Sequence, residues 1–173
     1  MNRSQSGFTL IELVLIVFVV TVLAAVASVA LQDFGTIKLS SATRKLASDI
    51  EFTRRLATAK QTRSAVTLAA TSYSVYEDYG TLNLARDPVG GGNFVVDYTS
   101  ARYQDFAGVT LSTLLPAGVV KFNSLGSPLR SDDTALPAAE GKITVMLGGN
   151  ARTLCIEPNT GKVRTLNGNV ACA

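Results

Sequence analysis

The stretch that decides the reading is Gly7-Phe8-Thr9-Leu10-Ile11-Glu12-Leu13, followed by an apolar run that ends at Leu31. From Leu13 to Leu31 no residue is charged, and only Thr21 and Ser28 are polar. A membrane-crossing helix needs about 20 mostly apolar residues, and this run supplies them. It has no proline, and no glycine after Gly7, so nothing interrupts a helix. Arg3 and the amino terminus precede it. The positive-inside rule then puts the N-terminus in the cytoplasm and everything after Leu31 across the membrane. Glu12 is the one charge inside the front of the run. A mid-membrane carboxylate costs roughly 2.5–3.5 kcal/mol on insertion scales, so an acid kept there is a candidate functional group.

A secretory signal peptide is the competing reading. Ala25, Ala27, Ser28 and Ala30 could form an A-x-A-like cleavage site. The apolar core of such a signal is about 7–15 residues, shorter than this one. A plain membrane anchor is a further alternative, and it leaves Glu12 without a role.

Gly7 to Leu13, after a short polar leader with one basic residue and before an apolar helix, resembles the class III signal of type IV pilins and pseudopilins. The resemblance implies that a prepilin peptidase cuts between Gly7 and Phe8 on the cytoplasmic side. It implies N-methylation of the new terminus at Phe8. It also implies that Phe8 to Leu31 serves first as an anchor in inner-membrane lipid and then as filament core. Glu12 would face the amino group of a neighbouring pilin or pseudopilin subunit. A carboxylate in an apolar bundle is tolerable mainly when it is paired with a cation. Many major pilins carry a kinking proline at the position of Val29, so its absence favours a minor pilin or pseudopilin.

Beyond the anchor, Leu39, Ala42, Leu46, Ala47, Ile50, Thr53, Leu56 and Ala57 recur at three- and four-residue spacing. This is the pattern of an amphipathic helix. Arg44, Lys45, Asp49, Glu51, Arg54, Arg55 and Lys60 fall mostly on its other faces. Gly35 is the expected hinge. After Thr62, β-branched and aromatic runs alternate with turn residues. Candidate strands are 65–70, 73–77, 93–98, 109–111, 119–123, 142–147, 152–157 and 162–166, with hairpin turns at 148–150 and 158–161. The expected organisation is a leader over 1–7, an anchor helix over 8–31, its amphipathic continuation over 32–64 and a β domain over 65–173. The fold class is α+β: a long N-terminal helix packed on a C-terminal antiparallel sheet or small sandwich.

Composition limits the chemistry. The chain has 173 residues, enough for one ordinary domain. Histidine is absent, which excludes Ser-His and Cys-His catalytic arrangements. Two cysteines are too few for a Cys-only zinc site. No G-x-S-x-G or S-x-x-K pattern and no metal-ligand spacing is found, so no enzyme, cofactor or metal is expected. Gly90-Gly91-Gly92 lacks the residues of a phosphate loop and reads as a flexible loop. Asp132 and Asp133 are a weak calcium signal and fit a solvated loop better.

Cys155 and Cys172 bracket the last candidate strand. In an oxidising compartment they are expected to form a disulfide; two buried thiols are the alternative. A C-terminal cysteine loop also recurs among type IV pilins. Val120-Lys121-Phe122-Asn123-Ser124-Leu125-Gly126, with Thr160-Gly161-Lys162-Val163-Arg164, resembles the GspH/FimT group of minor pseudopilins and minor pilins. The Cys155…Cys172 tail also resembles minor pilins of the mannose-sensitive haemagglutinin type. Some FimT-type members bind DNA through the late strand during natural transformation. The charge is segregated in a way that permits this. Residues 32–65 hold seven basic and three acidic side chains, and residues 66–140 hold four and eight. Residues 141–173 hold Lys142, Arg152, Lys162 and Arg164 against Glu157 alone. These four cations are the candidate contacts for duplex DNA, with Lys162 and Arg164 expected on one strand face. An ordinary solvated strand is the alternative.

Overall fold

The computed structural model describes residues 9–172, the side chains of 26–33 excepted. The leader and Phe8 lie outside the described residues. One helix, α1, runs over Leu10–Lys60. Thr9 precedes it, and the Thr9 side-chain oxygen accepts from the Glu12 backbone N–H at 3.3 Å. The helix continues through Gly35, at a cost of about 1 kcal/mol relative to alanine. The expected hinge is therefore not a break in the helix. By contact density the chain divides into two units, Met1–Thr36 and Ile37–Ala173.

The helix ends in a Schellman-type turn. Gln61 takes a left-handed conformation (φ 55°) and the Thr62 N–H bonds back to the Ala57 carbonyl at 3.3 Å. Ten strands follow. They are β1 Ser64–Leu68, β2 Ser72–Asp78, β3 Asn83–Leu84, β4 Val95–Asp97, β5 Thr110–Thr113, β6 Val119–Phe122, β7 Pro128–Leu129, β8 Lys142–Leu147, β9 Asn150–Ile156 and β10 Val163–Asn167. They form two antiparallel sheets. The first has the order β3-β2-β1-β6-β7, with β4 also paired to β2, and the second the order β10-β9-β8-β5. The two-residue strands β3 and β7 carry too little pattern to be read from sequence. The expected strand over 93–98 shortens to Val95–Asp97, because Phe94 donates instead to the Ala85 carbonyl at 2.8 Å.

In the second unit, α1 buries Leu39, Ala42, Leu46, Ile50 and Ala57. Val66, Val75, Val120 and Phe122 of the first sheet and Ile143, Val145, Leu154 and Ile156 of the second complete this core. Thr43 and Thr53 are also fully buried on the helix. Each hydroxyl bonds the carbonyl four residues back, at 2.6 and 2.7 Å, so neither is left unsatisfied.

Asp49 departs from expectation. It is not on an outer face but is only 9 % exposed. Its Oδ2 accepts from the Tyr73 hydroxyl of β2 and from Lys45 Nζ at 3.0 Å. The tyrosine explains the burial: its hydroxyl reaches the helix–sheet interface and needs an acceptor there. Burial pushes the Asp49 carboxyl above its ordinary value, against the opposing pull of Tyr73 and Lys45. Burial and the Asp49 charge likewise push the Tyr73 phenol well upward, so it stays a donor.

The late strand is held by a turn-on-turn contact. Gly161, in the β9–β10 turn, takes φ 66°. A β-carbon there would lie 2.6 Å from the Gly126 carbonyl oxygen and 2.9 Å from the Phe122 ring. Only glycine fits this contact. Glu51 adds a second tether: one carboxylate oxygen accepts from the Val163 N–H at 2.9 Å, and the other pairs with Arg54 at 2.9 Å.

One of two loops read from the sequence also differs from expectation. The 87–92 loop is tied down, with Asp87 accepting from the Val89 N–H at 2.9 Å and from Arg102 at 2.6 Å. Asp133 is bridged by Arg63 and by the buried Lys121, each at 3.1 Å. Ammonium and guanidinium groups of the chain itself thus occupy this carboxylate.

Asp49→Ala leaves the Tyr73 hydroxyl and Lys45 without their acceptor. It is expected to lower stability by about 3 kcal/mol in chemical denaturation. Asp49→Asn tests the charge alone. A carboxyl raised in the folded state favours folding most below its unfolded value, and that contribution is lost as pH rises through the folded value. Acidification from neutral pH toward pH 4 should therefore stabilise the wild type relative to Asp49→Asn; an unchanged difference would contradict the buried-carboxylate assignment.

Candidate functional site

Two regions carry the chemistry singled out from the sequence. The first is the start of α1. Gly7 and Phe8, the expected cleavage and methylation residues, lie outside the described residues. Thr9-Leu10-Ile11-Glu12 has the spacing of a capping box, and the Thr9 oxygen accepts the Glu12 N–H as such a box requires. Thr9 thus fixes where the helix begins and hence where Glu12 projects. This role was open to a T-x-x-E reading of the sequence but is hidden there by the larger apolar signal.

The apolar side chains that follow are exposed. Every leucine, isoleucine, valine and phenylalanine from Leu10 to Leu23 is between 44 % and 83 % exposed, around the whole circumference of the helix. An all-round apolar helix is stable only when something outside covers it. Among the described residues no helix is long and apolar enough to cross a membrane. The expected anchor, 8–31, extends at both ends into residues lying outside that description.

The second region is the outer face of the second sheet. Cys155 of β9 and Cys172 form a disulfide across 17 residues of chain. The tail before Cys172 lies over the same strand. Thr153 Oγ1 donates to the Gly168 carbonyl at 2.8 Å and accepts from the Val170 N–H at 3.2 Å. Lys142 and Arg164 are both paired with Cys155 in register, one from each neighbouring strand. Directly opposed residues project from one face, so these two cations flank the disulfide.

The other two candidates do not join them on equal terms. Arg152 is opposite Val145, one residue out of phase, and so lies on the core-side face. Lys162 is exposed but precedes β10, which begins at Val163. Arg164 pairs with Glu157 at 2.9 Å. The four cations therefore do not form one continuous track. The sequence could not reveal this, because β9 register decides which face Arg152 takes.

The fold is thus a long N-terminal helix whose second half packs on two antiparallel sheets, with a disulfide-closed tail. Residues 2–28 match the family of the prokaryotic N-terminal methylation motif. No curated protein matches the chain. A crystal structure of the type IV minor pilin FimU of Pseudomonas aeruginosa PAO1 superposes with TM-score 0.53 at 14 % identity, covering 80 % of this chain and 97 % of that one. A second crystal form of FimU gives TM-score 0.51 at 13 % identity, covering 78 % and 99 %. The chain thus carries an N-terminal methylation motif on a fold similar to that of this minor pilin.

The disulfide closes a short loop and fixes the tail. Its reduction, or replacement of both cysteines by serine, is expected to cost about 3 kcal/mol. Thermal unfolding with and without reductant measures this, and an unchanged midpoint would show that the tail is held by Thr153 alone.

Proposed function

We propose that the chain is a minor pilin or pseudopilin subunit that acts by insertion and assembly. A prepilin peptidase cuts between Gly7 and Phe8, and Phe8 is then N-methylated. The helix holds the subunit in the bacterial inner membrane, N-terminus cytoplasmic and β domain periplasmic. The subunit then joins a type IV pilus or a type II secretion pseudopilus as a priming, tip or minor component. One observation carries this reading: an exposed apolar helix with Glu12 at its front, lying inside a methylation motif. Lipid covers such a surface before assembly, and the helices of other subunits cover it afterwards. Glu12 is the polar handle. In a helix bundle its carboxylate is tolerable when it meets the amino group of a neighbouring subunit.

A DNA-uptake role is the second reading. It draws on Lys142 and Arg164 flanking Cys155, with Lys162 beside them. So few phosphate contacts give binding that falls steeply as salt rises. Duplex binding that is lost in Lys162→Ala/Arg164→Ala supports this role, and absence of binding at low salt removes it.

Two substitutions test the assembly reading. Gly7→Leu should leave the leader uncut, seen as a slower band on a gel. Glu12→Ala should leave the protein processed and membrane-inserted while its recovery in sheared filaments or pseudopili falls to a small fraction of wild type. Normal incorporation of Glu12→Ala would overturn the role given to the carboxylate.

A further inference from the structure

The second sheet ends on β10, and the hydrogen-bond register shows which side of β10 is open. The hairpin between β8 and β9 has a two-residue turn, so the Leu147–Asn150 pair that closes it is hydrogen-bonded. Counting along β9, Arg152, Leu154 and Ile156 bond to β8; the Ile156 N–H donates to the Gly141 carbonyl at 2.8 Å, in phase with this. Ala151, Thr153 and Cys155 then bond toward β10. The Gly168 N–H to Ala151 carbonyl bond, at 3.0 Å, and the Glu157 N–H to Lys162 carbonyl bond, at 2.8 Å, agree. Arg164 and Leu166 therefore use their backbone groups on β9. Val163, Thr165 and Asn167 direct theirs outward.

The Val163 N–H is taken by Glu51. Among the described residues nothing bonds the outward groups of Thr165 and Asn167, and both residues are exposed. A donor–acceptor set thus repeats along the edge every two residues, about 7 Å apart. The cations are beside it: Lys162 is exposed with no ion pair among the described residues, Lys142 likewise has none, and Arg164 is about half exposed. Only Glu157 opposes them within residues 141–173.

We propose that the free edge of β10 is a docking strand for an extended acidic segment of a partner protein. The segment adds a strand to the second sheet by pairing with Thr165 and Asn167. Its carboxylates meet Lys162 and Arg164. The charge decides among occupants. A second copy pairing through the same edge would bring two cationic strands together, which is unfavourable. Duplex DNA would use the charge but not the backbone groups of Thr165 and Asn167. Edge lysines can also serve only to prevent unselective pairing, and in that case no acidic segment binds.

The test uses the full chain in detergent micelles and a fluorescent peptide, Glu-Val-Thr-Val-Glu-Val-Thr, with blocked ends. Two control peptides replace Glu by Lys or carry N-methyl groups on alternate backbone nitrogens. The acidic peptide should bind, more weakly as salt rises. The N-methylated peptide keeps every side chain but loses its edge donors, and it should bind at least about tenfold more weakly. The Lys peptide should bind more weakly still. Thr165→Pro removes an outward N–H that β9 does not use, a change edge strands tolerate, and it should also cost about tenfold. Lys162→Glu should weaken the acidic peptide and strengthen the Lys peptide. Equal binding of the acidic and N-methylated peptides would overturn the proposal, with or without a folded Thr165→Pro variant. So would no peptide binding at all, self-association that Thr165→Pro abolishes, or competition by duplex DNA that Thr165→Pro leaves unchanged.

Discussion

The structure depends on how one helix, apolar in both halves, is covered. Its second half covers its apolar stripe with the two sheets of its own chain. Its first half, from Leu10 to Leu23, presents exposed apolar side chains on every side. Burial of apolar surface is the dominant favourable term in folding and association alike. The second half of the helix is therefore satisfied by folding, and the first half is left exposed by it. Glu12 sits within the exposed part.

The domain half shows how polar groups are fitted under the same constraint. Asp49 and Tyr73 are buried together, and neither would be stable there alone. Lys45 completes the group and lies 5.7 Å from the Phe94 and Tyr103 ring centres. Tyr98 packs edge-on against Tyr73, and its buried hydroxyl has no partner among the described residues. Lys121 is handled in the same manner on the first sheet, with its ammonium on Asp133 and the Ser131 carbonyl and 5.0 Å from the centre of the Tyr79 ring. The apolar core thus carries a few polar insertions, most of them paired.

Much of this was legible before any coordinates. The amphipathic stripe from Leu39 to Ala57 and the strands β8 to β10 follow from hydrophobic period and turn residues, and their bounds agree within two residues. The turn at Gly148-Gly149 and the glycine at 161 were legible for the same reason: few other residues suit those backbone shapes. Other features were not legible because they depend on partners distant in sequence. Asp49 reads as a surface charge until β2 brings Tyr73 beside it. The separation of Arg152 from Lys142 and Arg164 depends on strand register. The open side of β10 depends on which alternate amides the neighbouring hairpin has already used. Thr9 is a different case: its spacing to Glu12 is local and readable, yet the apolar run around it dominates the eye.

The contact between Gly161 and Gly126 has a mechanical consequence. It joins a turn of the second sheet to a turn of the first, beside the Glu51 and Arg54 tethers on the helix. A pull applied along α1 is therefore delivered to both sheets at neighbouring points. The two sheets would have to yield together, since neither can slide past the other without breaking a contact that no side chain could refill.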